Sequence, residues 1–118
     1  MEQMNFHEKL KLKMHYYVKY VYKVTKGFPK DELYGVTSQL RRSALSVILN
    51  YIEGFARRKG NECKVYKNFL EISYGSLKES KYLIYFSYAE SYINKDDYSQ
   101  LTEMTEEIGK MIWSLLKK

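Results

Sequence analysis

The sequence has one proline, one cysteine and two histidines among its 118 residues, and each scarcity excludes a class of protein. The lone cysteine, Cys63, rules out an internal disulfide framework. The histidines, His7 and His15, lack the Glu-x-x-His spacing of di-iron bundles, so no metal site is expected. Both lie upstream of Arg41, Arg42, Arg57 and Arg58, the reverse of the arginine-then-histidine order used by some helical-bundle ribonucleases. The glycines never form a Gly-x-Gly-x-x-Gly or Gly-Lys-Ser/Thr pattern, and no serine has a histidine beside it by local spacing. No catalytic residues and no cofactor are therefore expected. No run approaches the ~20 apolar residues that span a bilayer, and the N-terminus carries charge where a signal peptide would be apolar. The expectation is a cytoplasmic, non-membrane protein.

Sustained strand-like alternation is also missing, and Pro29 alone interrupts helix formation. Hydrophobic residues at 45% and charged residues at 29% are globular proportions, and the length suits a single domain over 1–118. Thirteen tyrosines are the unusual abundance. Tyrosine joins an apolar face to a hydrogen-bonding tip and favours half-wet surfaces and subunit contacts.

The spacing predicts four helices. Helix one covers about 8–26, with Leu12, Tyr16, Val18, Lys19 and Tyr22 toward one side and Tyr17, Tyr20 and Val21 widening the apolar face, and Gly27 ends it. Phe28-Pro29 makes a rigid corner with Phe28 as an apolar plug. Helix two covers about 30–58, with Gly35 in its first turns as a kink or as space for a close neighbour, and Leu40, Ala44, Val47, Tyr51 and Phe55 on its core face. Gly60-Asn61 is the next turn, and helix three covers about 62–93. Phe69, Ile72, Ser76 and Leu83 mark one line on it, and Leu70, Leu77 and Ile84 another, continued by Tyr85, Tyr88 and Tyr92. One of Asp96 and Asp97 caps helix four, whose apolar set is Leu101, Met104, Ile108, Met111 and Leu115. Short loops between such helices imply an all-α, up-down-up-down antiparallel four-helix bundle with long helices two and three. Apolar lines on two sides of helix three, with the tyrosine excess, imply a homo-oligomer.

A polar stripe accompanies the core face of helix two: Gln39, Arg42, Ser46, Asn50, Glu53 and Arg57. If helices two and three are antiparallel neighbours, Asn50 and Glu53 face Ser76 and Glu79. The expected result is a buried structural network of Gln39, Arg42, Ser46, Asn50, Glu53, Ser76 and Glu79, with an arginine supplying the opposing charge. Ser43, Ser46, Ser73, Ser76 and Ser80 read as close-packing residues or donors to backbone carbonyls rather than nucleophiles.

The net charge of +6 lies in the first half, where residues 1–30 carry seven Lys/Arg against two acids. Candidate nucleic-acid-binding residues are Arg41, Lys19 and Lys23, and the cluster Arg57, Arg58 and Lys59.

Phe28-Pro29-Lys30-Asp31-Glu32, Leu33-Tyr34-Gly35-Val36-Thr37-Ser38-Gln39-Leu40-Arg41-Arg42-Ser43-Ala44, and then Ser46, Asn50, Glu53-Gly54 and Arg57 resemble the four-helix-bundle family once labelled S23 ribosomal protein. Its members include proteins encoded by intervening sequences in bacterial 23S ribosomal RNA genes. Phe69-Leu70-Glu71-Ile72 and Gly75-Ser76-Leu77-Lys78-Glu79 match its second signature. The family's proline ahead of the asparagine motif is Leu49 here, and its small alanine is Ile52, which bears on the shape and packing of helix two. The resemblance implies a homopentamer around a central channel, as in the accessory proteins of diversity-generating retroelements. It further implies RNA or DNA binding and a reverse transcriptase as partner. The expected function is a non-enzymatic oligomeric nucleic-acid-binding adaptor. The alternative is a structural or protein-interaction scaffold without that role.

Overall fold

The computed structural model describes residues 4–59 and 63–118. The turn expected at Gly60-Asn61 and the expected helix start at Glu62 lie outside these residues.

The first helix, α1 (Phe6–Thr25), starts two residues before the expected Glu8. The cause is Asn5, whose side chain accepts from the Glu8 N–H and donates to its carboxylate, both at 2.8 Å. Phe28 is buried against the Tyr92 ring at 5.5 Å, the plug that the Phe-Pro corner predicts.

The second helical stretch passes through a 3₁₀ turn (Lys30–Glu32) and a π turn (Leu33–Thr37) before becoming regular as α2 (Ser38–Ala56). The kink is at Gly35, where φ is −112° and ψ is −118°. A Cβ there would stand 2.6 Å from Glu32 Oε1, while Glu32 Oε2 accepts a 2.9 Å hydrogen bond from Tyr92. No second break occurs at Leu49, which α2 passes unbroken.

α3 (Lys64–Ala89) has 26 residues, about 39 Å at 1.5 Å per residue. It ends before the expected Ile93 because Ser91 adopts a left-handed φ of 64°. The Ser91 N–H then bonds the Tyr88 carbonyl and the Tyr92 N–H the Ser87 carbonyl, closing the helix as a Schellman motif. α4 (Lys95–Leu116) is capped by Asn94, not by an aspartate. The Asn94 side chain accepts from the Asp97 N–H at 2.7 Å.

Contacts between helices join low numbers to high ones. His7 meets Tyr51, Ser46 meets Ser76, Tyr88 stacks on Tyr98 at 4.2 Å, and Tyr20 donates to Asp97 at 2.7 Å. Burial and the Asp97 carboxylate push the Tyr20 phenol up to about 12. The architecture is an up-down-up-down antiparallel four-helix bundle in which the stretch 30–56 and α3 are the longest. Among the described residues, no helix is long and apolar enough to cross a membrane.

The core receives one stripe from each helix. α1 buries Leu10, Met14, Tyr17 and Val21: of its broad expected face the core takes Tyr17 and Val21, leaving Leu12, Val18 and Tyr22 half-buried and Tyr16 exposed. α2 buries Leu40, Ala44, Val47 and Tyr51 as its spacing predicts, but leaves Phe55 exposed. On α3 the heptad line Leu70, Leu77 and Ile84 is buried, whereas Ile72 and Tyr85 are outside. Ser73, Ser80 and Ser87 form a second buried line beside it. Their hydroxyls donate to carbonyls: Ser73 across to Val47 at 2.6 Å, Ser80 to Leu77 and Ser87 to Leu83. The small residues therefore admit neighbouring helices and satisfy their own polarity. α4 buries Leu101, Ile108, Ile112 and Leu115, with Met104 and Met111 half-buried.

Candidate nucleic-acid interface

The charged residues singled out in the sequence divide between the two ends of the bundle. Arg57, Arg58 and Lys59 follow the last turn of α2 and are exposed. Antiparallel packing brings the start of α1 to the same end. Arg58 Nη1 lies 2.9 Å from His7 Nε2, and the guanidinium covers the Phe55 ring at 4.9 Å and the Tyr66 ring at 5.8 Å.

A guanidinium only donates, so His7 Nε2 accepts and Nδ1 holds the proton directed at the Tyr51 hydroxyl. Burial is the larger cause that lowers the His7 pKa, followed by the charges of Arg58 and Lys118. His7, Lys11, Tyr51, Ile52 and Phe55 line a hollow of about 340 Å³ beside this cluster. Lys11, from the broadly basic surface of helix one, and Lys118 thus stand at the same end as Arg57, Arg58 and Lys59. Helical spacing cannot predict this meeting of chain ends; the antiparallel topology can.

Lys19, Lys23 and Arg41 belong to the opposite part of the bundle. Lys19 lies over Tyr16 at 5.9 Å and Lys23 over Tyr20 at 5.8 Å. Arg41 is half-buried, covers Tyr22 at 4.7 Å, and donates through Nε to Thr25 Oγ1 at 2.8 Å. Its neighbour Arg42, expected in the buried network, is exposed. The two arginines have exchanged the surroundings their sequence positions suggested, because α1 packs against the Arg41 side of α2.

Part of the polar stripe meets α3. The Ser46 and Ser76 hydroxyls are 2.7 Å apart, and Asn50 Nδ2 donates to both the Ser46 carbonyl and hydroxyl at 2.9 Å. Gln39, Arg42, Glu53 and Glu79 are exposed, contrary to the expected buried network. Glu53 pairs with Arg57 one turn along its own helix at 2.7 Å, with both side chains about half in solvent. Such an i,i+4 pair contributes about 0.3–0.5 kcal/mol. At Gly54 α2 and α3 leave no room for a side chain. A Cβ there would stand 2.7 Å from Phe69 Cβ and 3.3 Å from the Tyr66 carbonyl oxygen. Ile52, the residue in place of the family's alanine, points outward.

Comparison with solved structures finds the same fold in a protein with unknown function from the S23 ribosomal protein family of Bacteroides thetaiotaomicron. The TM-score is 0.82 at 20% sequence identity, over 92% of this chain and 99% of the other. Comparison with curated proteins returns no match. The sequence profile of the 23S rRNA-intervening sequence proteins matches residues 9–114. With the match running over nearly its whole length, the chain belongs to the 23S rRNA-intervening sequence protein family.

Proposed function

We propose that this protein is a non-enzymatic, cytoplasmic, oligomeric adaptor that binds nucleic acid through the basic end of its bundle. The observation that carries the reading is the meeting of Arg57, Arg58 and Lys59 with the start of α1. There Arg58 is held by His7 and by two aromatic faces. A guanidinium fixed in this way costs less ordering entropy when it meets a phosphate than a free one. Lys19, Lys23 and Arg41 form a weaker second set at the other end.

Assembly completes the proposal. Leu49, Ile52 and Phe55 on α2 and Val65 and Ile72 on α3 are apolar and exposed, which suits contact with further copies. The family likeness favours five copies around a channel, so each basic end would be repeated and act multivalently. The retroelement accessory proteins of like architecture make a reverse transcriptase the candidate protein partner.

The test is a mobility-shift series with single-stranded DNA, duplex DNA and RNA at two salt concentrations, beside sedimentation of the free protein. Binding should weaken steeply with salt, and R57E/R58E/K59E should weaken it for all sequences alike while leaving the oligomer intact. Absence of binding to all three at low salt would reject the role in favour of a protein-interaction scaffold. A monomer at micromolar concentration would reject the assembly.

A further inference from the structure

The groove between α3 and α4 lies outside the basic end and outside every residue assigned above to nucleic-acid binding. It encloses about 370 Å³, with Lys78 and Lys81 on its α3 wall and Lys110 on its α4 wall. Glu106 is the one acid among its lining residues. Among the described residues, none of these three lysines forms an ion pair with a carboxylate. Gly109 leaves the floor open: even a Cβ there would touch Leu77 at 3.4 Å and Tyr74 at 3.9 Å.

One end of the groove is closed by an aromatic pair. The Tyr74 and Trp113 rings are 5.8 Å apart, and Lys78 Nζ lies 5.1 Å from the Tyr74 ring centre. Trp113 is 48% exposed, although burying an indole in the core would contribute more to stability. A second hollow of about 390 Å³ begins on the far side of the same pair and leads to Lys117. Lys67 and Glu71 line that hollow too, so from Lys117 to Lys81 the track carries five lysines and the aromatic pair against the two acids Glu71 and Glu106.

We infer that this groove binds an unpaired stretch of single-stranded nucleic acid, with a base stacked on Trp113 and flanking phosphates on Lys78, Lys81 and Lys110. Charge complementarity selects a polyanion. The exposed aromatic face selects unpaired bases, because a base inside a duplex has no free π-face to offer. A cationic groove with an exposed aromatic face at one end is a combination on which single strands are bound irrespective of sequence. The inference rests on the proposed nucleic-acid role but names a different surface from the Arg57–Lys59 cluster, so the two can fail separately.

Trp113 is the sole tryptophan, so its emission reports this groove directly. The full-length protein is titrated at low salt with a 12-residue oligothymidylate carrying a fluorescent end label. Anisotropy of the label and emission of Trp113 are read together. Binding should quench Trp113 to a saturating level, and a duplex of the same length should leave its emission unchanged. K78E/K81E should lose about tenfold in affinity and most of the quench. R57E/R58E/K59E should weaken binding while keeping the quench at saturation. Binding seen by anisotropy with constant Trp113 emission, or equal quenching by the duplex, would overturn the groove and leave the basic end standing. No change in either signal would remove both.

Discussion

The Tyr17 hydroxyl donates to Ser80 Oγ at 2.6 Å, in a core where both residues are fully buried. Ser80 in turn donates to the Leu77 carbonyl at 2.9 Å, so the pair forms a short chain with one direction. The two ends of that chain should respond unequally to deletion. Tyr17→Phe leaves Ser80 its carbonyl and should cost about 1 kcal/mol. Ser80→Ala strands the Tyr17 hydroxyl and should cost about 1–3 kcal/mol. The double variant should recover part of the second loss. Denaturant melts of the four proteins measure this, and equal single losses with simple additivity would refute it.

Two glycines in long helices should answer alanine oppositely. Gly54 faces Phe69 Cβ, where an added Cβ meets it at 2.7 Å, whereas an added Cβ at Gly75 meets nothing within 4 Å. Gly75→Ala should therefore stabilise by up to ~1 kcal/mol through helix propensity alone. Gly54→Ala gains the same propensity but must push α2 from α3, at a cost of about 1–3 kcal/mol. Its net effect should be a loss. Thermal melts that moved in the same direction for both would show that the α2–α3 approach is looser than described.

The His7 environment predicts an acid-sensitive end of the bundle. Its folded pKa lies below 6.5 because burial, then Arg58 and Lys118, disfavour the charged ring. Unfolded chains therefore bind the proton more readily, so this stabilising contribution is complete above pH 6.5. It is lost as pH falls through the folded value. Protonation also removes the acceptor that Arg58 uses at Nε2. The difference in melting temperature between the wild type and His7→Gln should be constant above pH 7 and shrink toward pH 5. A difference independent of pH would exclude this role.

Much of the fold could be read in the sequence because each helix carries its own evidence. The Leu70–Leu77–Ile84 line and the Phe28-Pro29 corner follow from local sequence, while Ser76, expected opposite Asn50 and Glu53, meets the Ser46 hydroxyl one turn earlier. α1 gave a width rather than a phase: Tyr16, Tyr17, Tyr20 and Tyr22 spread aromatic area round the helix, and only packing chose Tyr17 for the core. The end of α3 lacked its usual glycine, with Ser91 taking the left-handed position instead. Glu53 continued the stripe of Ser46 and Asn50 on paper. Near the end of α2, however, Arg57 is an easier partner in water than a buried one on α3 would be. The charged sites were the least legible, since neighbours in sequence such as Arg41 and Arg42 part company on a helix while His7 and Arg58 meet.

The heptad lines on α3 have a consequence for how the chain finds one alignment. A slide of α3 by seven residues would replace Leu77 with Leu70 or Ile84 and bring Ser73 or Ser87 to Tyr17. The Leu70–Leu77–Ile84 line is thus nearly blind to that displacement, while Tyr66, a large ring buried seven residues before the small Ser73, resists it. The Ser46 hydroxyl resists it too, because it would lose Ser76 and meet Phe69 or Leu83. A half-buried pair of hydroxyls and one large buried ring serve as the index mark on a repeating scale, separating the native alignment from near-copies of the leucine line.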